Sequence, residues 1–349
     1  MALGARSSVD EAPLITRWDL DKTYLRSRFD TLKELLSSAI ERPEQKRAVP
    51  GAASVLRELS GRGARISILS GSPRQLRRKL AAKLELDGVH YDELTLKPNL
   101  SNLALLRFRA LRDQLGYKLP ELLQARAREA ENRRPRAREV LVGDDSESDA
   151  FVYSLYADLC QGAVSEEELE RILDAGDAYS GTIKVCKRAL AQIPRAPVVD
   201  RILIHLDGQT PPSRFRLYGS RLIPFYNYFQ AACVLLERSA LSPEAVLRIA
   251  AEFIEQHGFS PDSIARSYLD LSRREHTSGT APSLLEKALR SFEPSRLPLS
   301  DLQRAVAIMQ NDSALSLTSP ERAPVLDYAT LAKRYRGGKN RRRPGMTFG

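Results

Sequence analysis

Pro13-Leu14-Ile15-Thr16-Arg17-Trp18-Asp19-Leu20-Asp21-Lys22-Thr23 is the stretch whose reading decides the fold. A short apolar run leads into two carboxylates two residues apart. If Pro13-Leu14-Ile15 opens a strand, the ladder ends near the acids and the backbone turns outward. Asp19 and Asp21 then escape the period-2 alternation that would put a strand's neighbours on opposite faces. Two acids held close at the carboxyl end of a buried strand repel one another and attract a hard cation with oxygen ligands. Read alone, Asp-x-Asp before a helix is also ordinary cap and turn chemistry. The rest of the chain has to decide.

Working outward, the residues from 29 to 40 carry a helical stripe of Leu32, Leu35, Leu36 and Ile40. Pro50-Gly51 opens a second helix that ends at Gly61 and Gly63. Arg65-Ile66-Ser67-Ile68-Leu69 reads as a strand ending in Ser70-Gly71-Ser72-Pro73, and Arg74 to Leu86 as a helix with Leu76, Leu80 and Leu84 inward. Glu93-Leu94-Thr95-Leu96 is a third strand. A helical region from Asn102 to about Glu131 is expected to break near Gly116 and Pro120, and Arg126 to Arg138 reads as a solvated loop. Glu139-Val140-Leu141-Val142-Gly143 is a further strand, running into Asp144-Asp145-Ser146-Glu147-Ser148-Asp149 at a helix start. Strands alternating with helices predict an α/β fold: a Rossmann-like parallel sheet with helices on both faces, its functional groups at the carboxyl ends of the strands.

The second half reads differently. Ser165 to Ala191 is helical, Arg201 to Leu206 is a candidate strand before a turn at Gly208 to Pro212, and from Leu222 onward the pattern is helix after helix. Ser242-Pro243 and Ser260-Pro261 are expected N-caps followed by helical proline. His205 beside its strand is read as structural, and Tyr226, Tyr228 and Phe229 as core rather than as a stacking platform. The expected division is 1–162, an α/β domain; 163–331, a mainly helical domain assigned no chemistry; and 332–349, a basic disordered tail.

Composition fits a globular protein, with 42% hydrophobic and 28% charged residues in 349. Of the formal charge of +10, seven units lie in residues 331–349, which hold no acid, leaving +3 for the other 330. The body is thus only mildly basic, so net charge is no argument for a nucleic-acid-binding fold. The tail is the part suited to an anionic membrane surface or to nucleic-acid phosphates. Three scattered cysteines and four histidines argue for reduced thiols and against zinc. No run approaches the ~20 apolar residues that span a bilayer, and the N-terminus lacks a signal-peptide pattern. The expected compartment is the cytoplasm.

Asp19-x-Asp21-x-Thr23, then Ser70 after a strand, then a lysine, then Gly143-Asp144-Asp145 with Asp149 occur in the order that resembles the haloacid dehalogenase (HAD) superfamily. The resemblance covers about residues 13–160. Pro50-Gly51 and Leu69-Ser70-Gly71-Ser72-Pro73 look most like the catalytic domain of actin-patch-associated phosphatidate phosphatases and their bacterial relatives. The resemblance implies a Mg2+-dependent phosphatase that hydrolyses a phosphomonoester through an aspartyl-phosphate. In that reading Asp19 is the nucleophile, and Asp21 is the general acid and base that must hold its proton more readily than Asp19. Ser70, with Thr23, Gly71 and Ser72, binds the phosphoryl group. Mg2+ is held by Asp19, the Asp21 carbonyl and acids of the Asp144, Asp145 and Asp149 cluster, with Asp149 alternatively bracing the lysine. That lysine is Lys118, 26 residues before Asp144, or its rival Lys97.

Only 26 residues separate Thr23 from Pro50, too few for a large cap in this superfamily. A small or absent cap suits a bulky substrate such as phosphatidate, and equally a phosphoprotein or a nucleic-acid end. The competing class is a non-catalytic interaction protein that keeps the fold and uses its helical half to bind a partner.

Overall fold

A computed structural model describes residues 13–25, 47–97, 111–132, 134, 136–146, 148–291, 298–313 and 326–340. Its centre is one six-stranded sheet: β1 (Leu14–Asp19), β2 (Arg65–Pro73), β3 (Glu93–Lys97), β4 (Arg138–Asp144), β5 (Val199–His205) and β6 (Leu222–Phe225). All five pairings are parallel, in the order β3-β2-β1-β4-β5-β6. The chain reverses its direction of winding between β1 and β4, which opens a crevice at the carboxyl ends of those two strands. The helices are α1 (Ala52–Gly61), α2 (Arg77–Leu86), α3 (Leu111–Glu131), α4 (Asp149–Gln161), α5 (Glu166–Ala175), α6 (Ser180–Ala191), α7 (Tyr228–Glu237), α8 (Pro243–His257), α9 (Pro261–Arg273), α10 (Ala281–Ser291), α11 (Leu299–Ser313) and α12 (Tyr328–Asn340). Among the described residues no helix is long and apolar enough to cross a membrane.

Each face of the sheet buries its own core. Trp18, Ile66, Ile68, Val140 and Val142 pack against α1, α2 and α7 to α11. On the other face Leu69, Leu141, Ile202 and Ile204 pack against α3 to α6 and α12. Strands covered on both sides need apolar residues at successive positions, which is why Val140-Leu141-Val142 and Ile202-Leu203-Ile204 are unbroken runs.

The sheet therefore continues past the expected boundary at 162. Val199–His205 joins β4, and Leu222–Phe225, expected to begin a helix, is the edge strand β6. Four apolar residues are too few to tell a strand from a helix by period; the parallel partner β5 decides it here. The helices after β6 share one core with α1 and α2. The contact is close at Gly51, whose φ of +78° admits the turn into α1 and whose added Cβ would lie 2.6 Å from the Phe253 ring and 2.9 Å from Tyr228 Cβ. The expected caps of α8 and α9 form, with Ser242 and Ser260 accepting from the amides of Ala245 and Ser263.

Three further expectations change. Helix α3 runs unbroken through Gly116 and Pro120. It also extends to Glu131, through residues read as a solvated loop, and Arg126 within it is fully buried. Residues 332–340, expected to be disordered, lie in α12, with Tyr328 and Ala332 in the core. Residues 341–349 lie outside the described residues, as do the helix expected at 29–40, any cap within 26–46, and the start of the helical region at 102–110.

Arg126 is buried because it has a charged partner. Glu139 on β4 accepts from Arg17 Nε at 3.1 Å and Nη2 at 2.9 Å, from Arg126 Nη1 at 3.3 Å and from the Tyr156 hydroxyl at 2.7 Å. Burial alone would raise the Glu139 carboxyl, but Arg17, Arg126 and Tyr156 outweigh it and hold the group below its ordinary 4.5. Glu139→Gln strands two buried guanidiniums and is expected to cost about 3–5 kcal/mol of stability near neutral pH, read by urea denaturation. A depressed folded pKa contributes stability that is present above 4.5 and is lost as pH falls through the folded value. The gap between variant and native protein should accordingly narrow on acidification below 4.5.

Candidate active site

Asp19 is the last residue of β1 and shares with Arg17 the sheet face covered by α3 and α4. Lys118 on α3 and Asp149, the first residue of α4, converge on it from that face. The Lys118 ammonium lies 2.9 Å from Asp19 Oδ1 and 2.5 Å from Asp149 Oδ1, and all three side chains are buried. Asp144 ends β4, in the crevice beside β1, and its Oδ1 accepts from the Ser146 amide at 2.5 Å. Carboxylate oxygens of Asp19, Asp144 and Asp149 lie within 4.8 Å of one another. Lys118 is thus the lysine between the two acids, whereas Lys97 ends the edge strand β3, two strands from β1.

Asp149 reaches this place because residue 143 has no side chain. A Cβ on Gly143 would lie 2.3 Å from Asp149 Oδ2 and 2.7 Å from its Cβ, far inside van der Waals contact. With the glycine in place, Asp149 Oδ2 accepts from the Asp144 amide at 3.2 Å. The carboxylate also sits in the first turn of α4, where the helix dipole favours negative charge.

Asp21 lies across the mouth. Its Oδ2 accepts from the hydroxyls of Ser70 at 3.2 Å and Ser72 at 3.0 Å. Both serines reach it because β2 bulges: Ser70 pairs with Leu96 and Pro73 with Lys97, so Gly71 and Ser72 are extra residues that bend the strand tip. The expected α-helical start after Pro73 is a short 3-10 turn, Arg74–Leu76, before α2. Ser72 N donates to Ser70 Oγ at 3.0 Å, so that amide orders the serine pair. Thr23 is buried and donates to Asp19 Oδ2 at 3.4 Å, which places its hydroxyl on the acid.

Asp145 does not join the acids. Its two oxygens accept from the amides of Gly208 at 2.7 Å and Thr210 at 2.8 Å, tying the end of β4 to the turn after β5. Asp149 lies with Asp19 and Asp144, and its Oδ1 meets Lys118, the bracing contact expected of it as the alternative to a metal ligand.

Comparison with models of known families, with curated proteins and with solved structures finds no match to this chain. The site is accordingly read from its own geometry.

Two residues of the second half serve the site, and the sequence reading gave neither a role there. His205 ends β5 beside Asp144 and places Nδ1 3.0 Å from the carbonyl of Lys22. Tyr228, at the start of α7, stacks on Trp18 with ring centroids 5.5 Å apart and donates to the carbonyl of Thr23 at 2.8 Å. Burial, then the charges on Asp19 and Asp144, push its phenol well above the usual range, so it stays a donor. Between these anchors Lys22 holds φ at +60°, a strained backbone for a residue with a side chain. The loop carrying Asp21 is thus clamped by the other half of the chain. The available signal was positional: His205 closes a strand, and carboxyl ends of parallel strands are where sites assemble.

Substitution of Gly143 by Ala should push Asp149 away from Asp19 and Lys118 and destabilise the protein by about 1–3 kcal/mol. Because the clash is with the Asp149 side chain from its Cβ outward, the added cost should shrink in an Asp149→Gly background, and a double-mutant cycle by chemical denaturation reads that coupling.

Proposed function

We propose that the protein is a Mg2+-dependent phosphatase that hydrolyses a phosphomonoester through an aspartyl-phosphate on Asp19. The observation that carries this reading is the convergence of Asp19, Asp144 and Asp149 within 4.8 Å around Lys118. Lys118 supplies one positive charge to three buried carboxylates, and a divalent cation would supply two more. Hard carboxylate oxygens are the donors that Mg2+ takes, so Asp19, Asp144 and Asp149 are the side chains to hold it. When bound, the ion would screen negative charge on the transferred phosphoryl group.

The chain's own residues account for the remaining roles. Lys118 and Thr23 fix the two oxygens of Asp19, which orients the carboxylate for in-line attack on phosphorus. Attack forms the Asp19–phosphorus bond and breaks the bond to the leaving oxygen, which takes a proton from Asp21. Asp21, now a carboxylate, then removes a proton from the water that attacks the same phosphorus and releases Asp19 and inorganic phosphate. Ser70 and Ser72 hold Asp21 at the rim, and their hydroxyls can turn to phosphoryl oxygens once substrate arrives. The resemblance to phosphatidate phosphatases is what favours a bulky, lipid-like phosphomonoester as substrate.

Hydrolysis of a generic aryl phosphate tests the reading. The native protein with Mg2+ should turn it over, chelation should stop it, and Mg2+ should restore it. Asp19→Asn should lower the rate by about a thousandfold or more, since the nucleophile is removed. Equal rates for native and variant proteins would leave the fold without this activity.

A further inference from the structure

The opposite end of the sheet carries a second concentration of charge. Arg138 begins β4, Asp200 and Arg201 lie in the first residues of β5, Arg221 precedes β6, and Arg238 caps the end of α7. Together they line a cavity of about 390 Å³. Strand β4 has seven residues, so at ~3.3 Å per residue this cavity lies roughly 20 Å from Asp144.

One carboxylate serves three of these arginines. Asp200, half-buried on the cavity wall, accepts from Arg238 Nε at 3.1 Å and Nη2 at 2.6 Å, from Arg201 Nη1 at 3.3 Å, and lies 3.9 Å from Arg138 Nη2. Arg221 has its own acid, Asp158, which also accepts from the Tyr328 hydroxyl. Glu237, whose charge also acts on Arg201, accepts from the amides of Ser278 and Ala281. Among the described contacts the four guanidiniums bond two carboxylates, Asp200 and Asp158, while Glu237 also acts on Arg201 through its charge.

Capping of helix ends explains Arg138, which donates to the carbonyl of Arg238 at 3.1 Å. It does not explain Arg201, which turns back to the carbonyl of its own neighbour Asp200 at 2.7 Å. Burial, then the nearby Arg238, lower the Arg201 guanidinium against the opposing pull of Asp200 and Glu237. Arg221 Nε is also a buried donor with no hydrogen-bond acceptor, an arrangement that an added oxygen ligand relieves. All four side chains are between 24% and 41% exposed, open enough to be reached from outside.

We infer that the cavity at the amino-terminal ends of β4 and β5 is a binding site for a phosphate dianion, free or as the head of a larger molecule, held by Arg138, Arg201, Arg221 and Arg238. A dianion adds negative charge where four guanidiniums meet, and tetrahedral oxygens suit several planar guanidinium forks at once. The inference does not depend on the reading of the acid cluster.

Calorimetric titration of the full chain with inorganic phosphate in chelator tests it, beside titration with phosphatidylcholine vesicles with and without a phosphomonoester-headed lipid. The native protein and Asp19→Asn should bind alike, and Arg201→Gln/Arg221→Gln should bind about tenfold or more weakly, since two charge-assisted contacts are lost. If the double variant melts early, Arg201→Gln alone replaces it, because Arg201 bonds only to its neighbour. Binding of inorganic phosphate assigns a free ligand; binding only of the lipid vesicles assigns a headgroup. Arginine variants that bind as tightly as the native protein, binding lost in Asp19→Asn, or no binding of either probe would overturn the assignment.

Discussion

Three carboxylates cannot share a buried space less than 5 Å across unless positive charge is placed among them. That electrostatic requirement organises the molecule around Lys118. The lysine reaches Asp19 and Asp149 only if α3 and α4 lie on one face of the sheet and β1 lies next to β4. The strand order, with β1 between β2 and β4, produces that adjacency, and it brings together acids 125 residues apart in the chain. The Arg17–Glu139–Arg126 network, lower on the same face, links β1, β4 and α3 again. Charge pairing therefore fixes the position of α3 at two depths, where apolar packing alone would tolerate some sliding.

The second half of the chain is structurally continuous with this centre. His205 and Tyr228 grip consecutive parts of the Lys22–Thr23 backbone, and Trp18 stacks against Tyr228 from the strand that ends in Asp19. Gly51 lets α1 close onto Phe253 of α8. A substitution deep in α7 or α8 can thus alter the loop that carries Asp21 without touching any acid. The helical half has, at the least, the physical role of a brace, which the division at residue 162 had hidden.

What was legible in the sequence was whatever depends on short range. The runs Ile66–Leu69 and Val140–Val142 announced buried strands, Ser242-Pro243 and Ser260-Pro261 announced helix starts, and the order of Asp19, Ser70 and Asp144 matched the order of strand tips, with Lys118 on a helix between the last two. What was not legible depends on partners far along the chain. Leu222–Phe225 is a strand only because β5 lies beside it, and Arg126 is buried only because Glu139 waits on β4. Asp144 and Asp145 are adjacent and chemically identical. Which one enters the site is decided by the amides of Gly208 and Thr210, more than sixty residues on. Gly143 was quoted as part of a motif, yet its necessity comes from the space that Asp149 occupies.

The same kind of long-range decision separates Asp19 from Asp21, which differ in sequence by two positions and in chemistry by their neighbours. Asp19 is all but fully buried and bonded to an ammonium, which can only donate and so favours a carboxylate that keeps its charge. Asp21 sits past the end of the strand, half-buried, with two serine hydroxyls on one oxygen. A hydroxyl can donate to a carboxylate or rotate and accept from a carboxylic acid, so Ser70 and Ser72 can serve Asp21 in both protonation states. An acid whose neighbours tolerate a change of proton is suited to giving and taking one. An acid clamped by a cation is suited to attack. The bulge in β2 is what supplies the second hydroxyl, so an irregularity at one strand tip gives the two carboxylates the different surroundings that the proposed roles require.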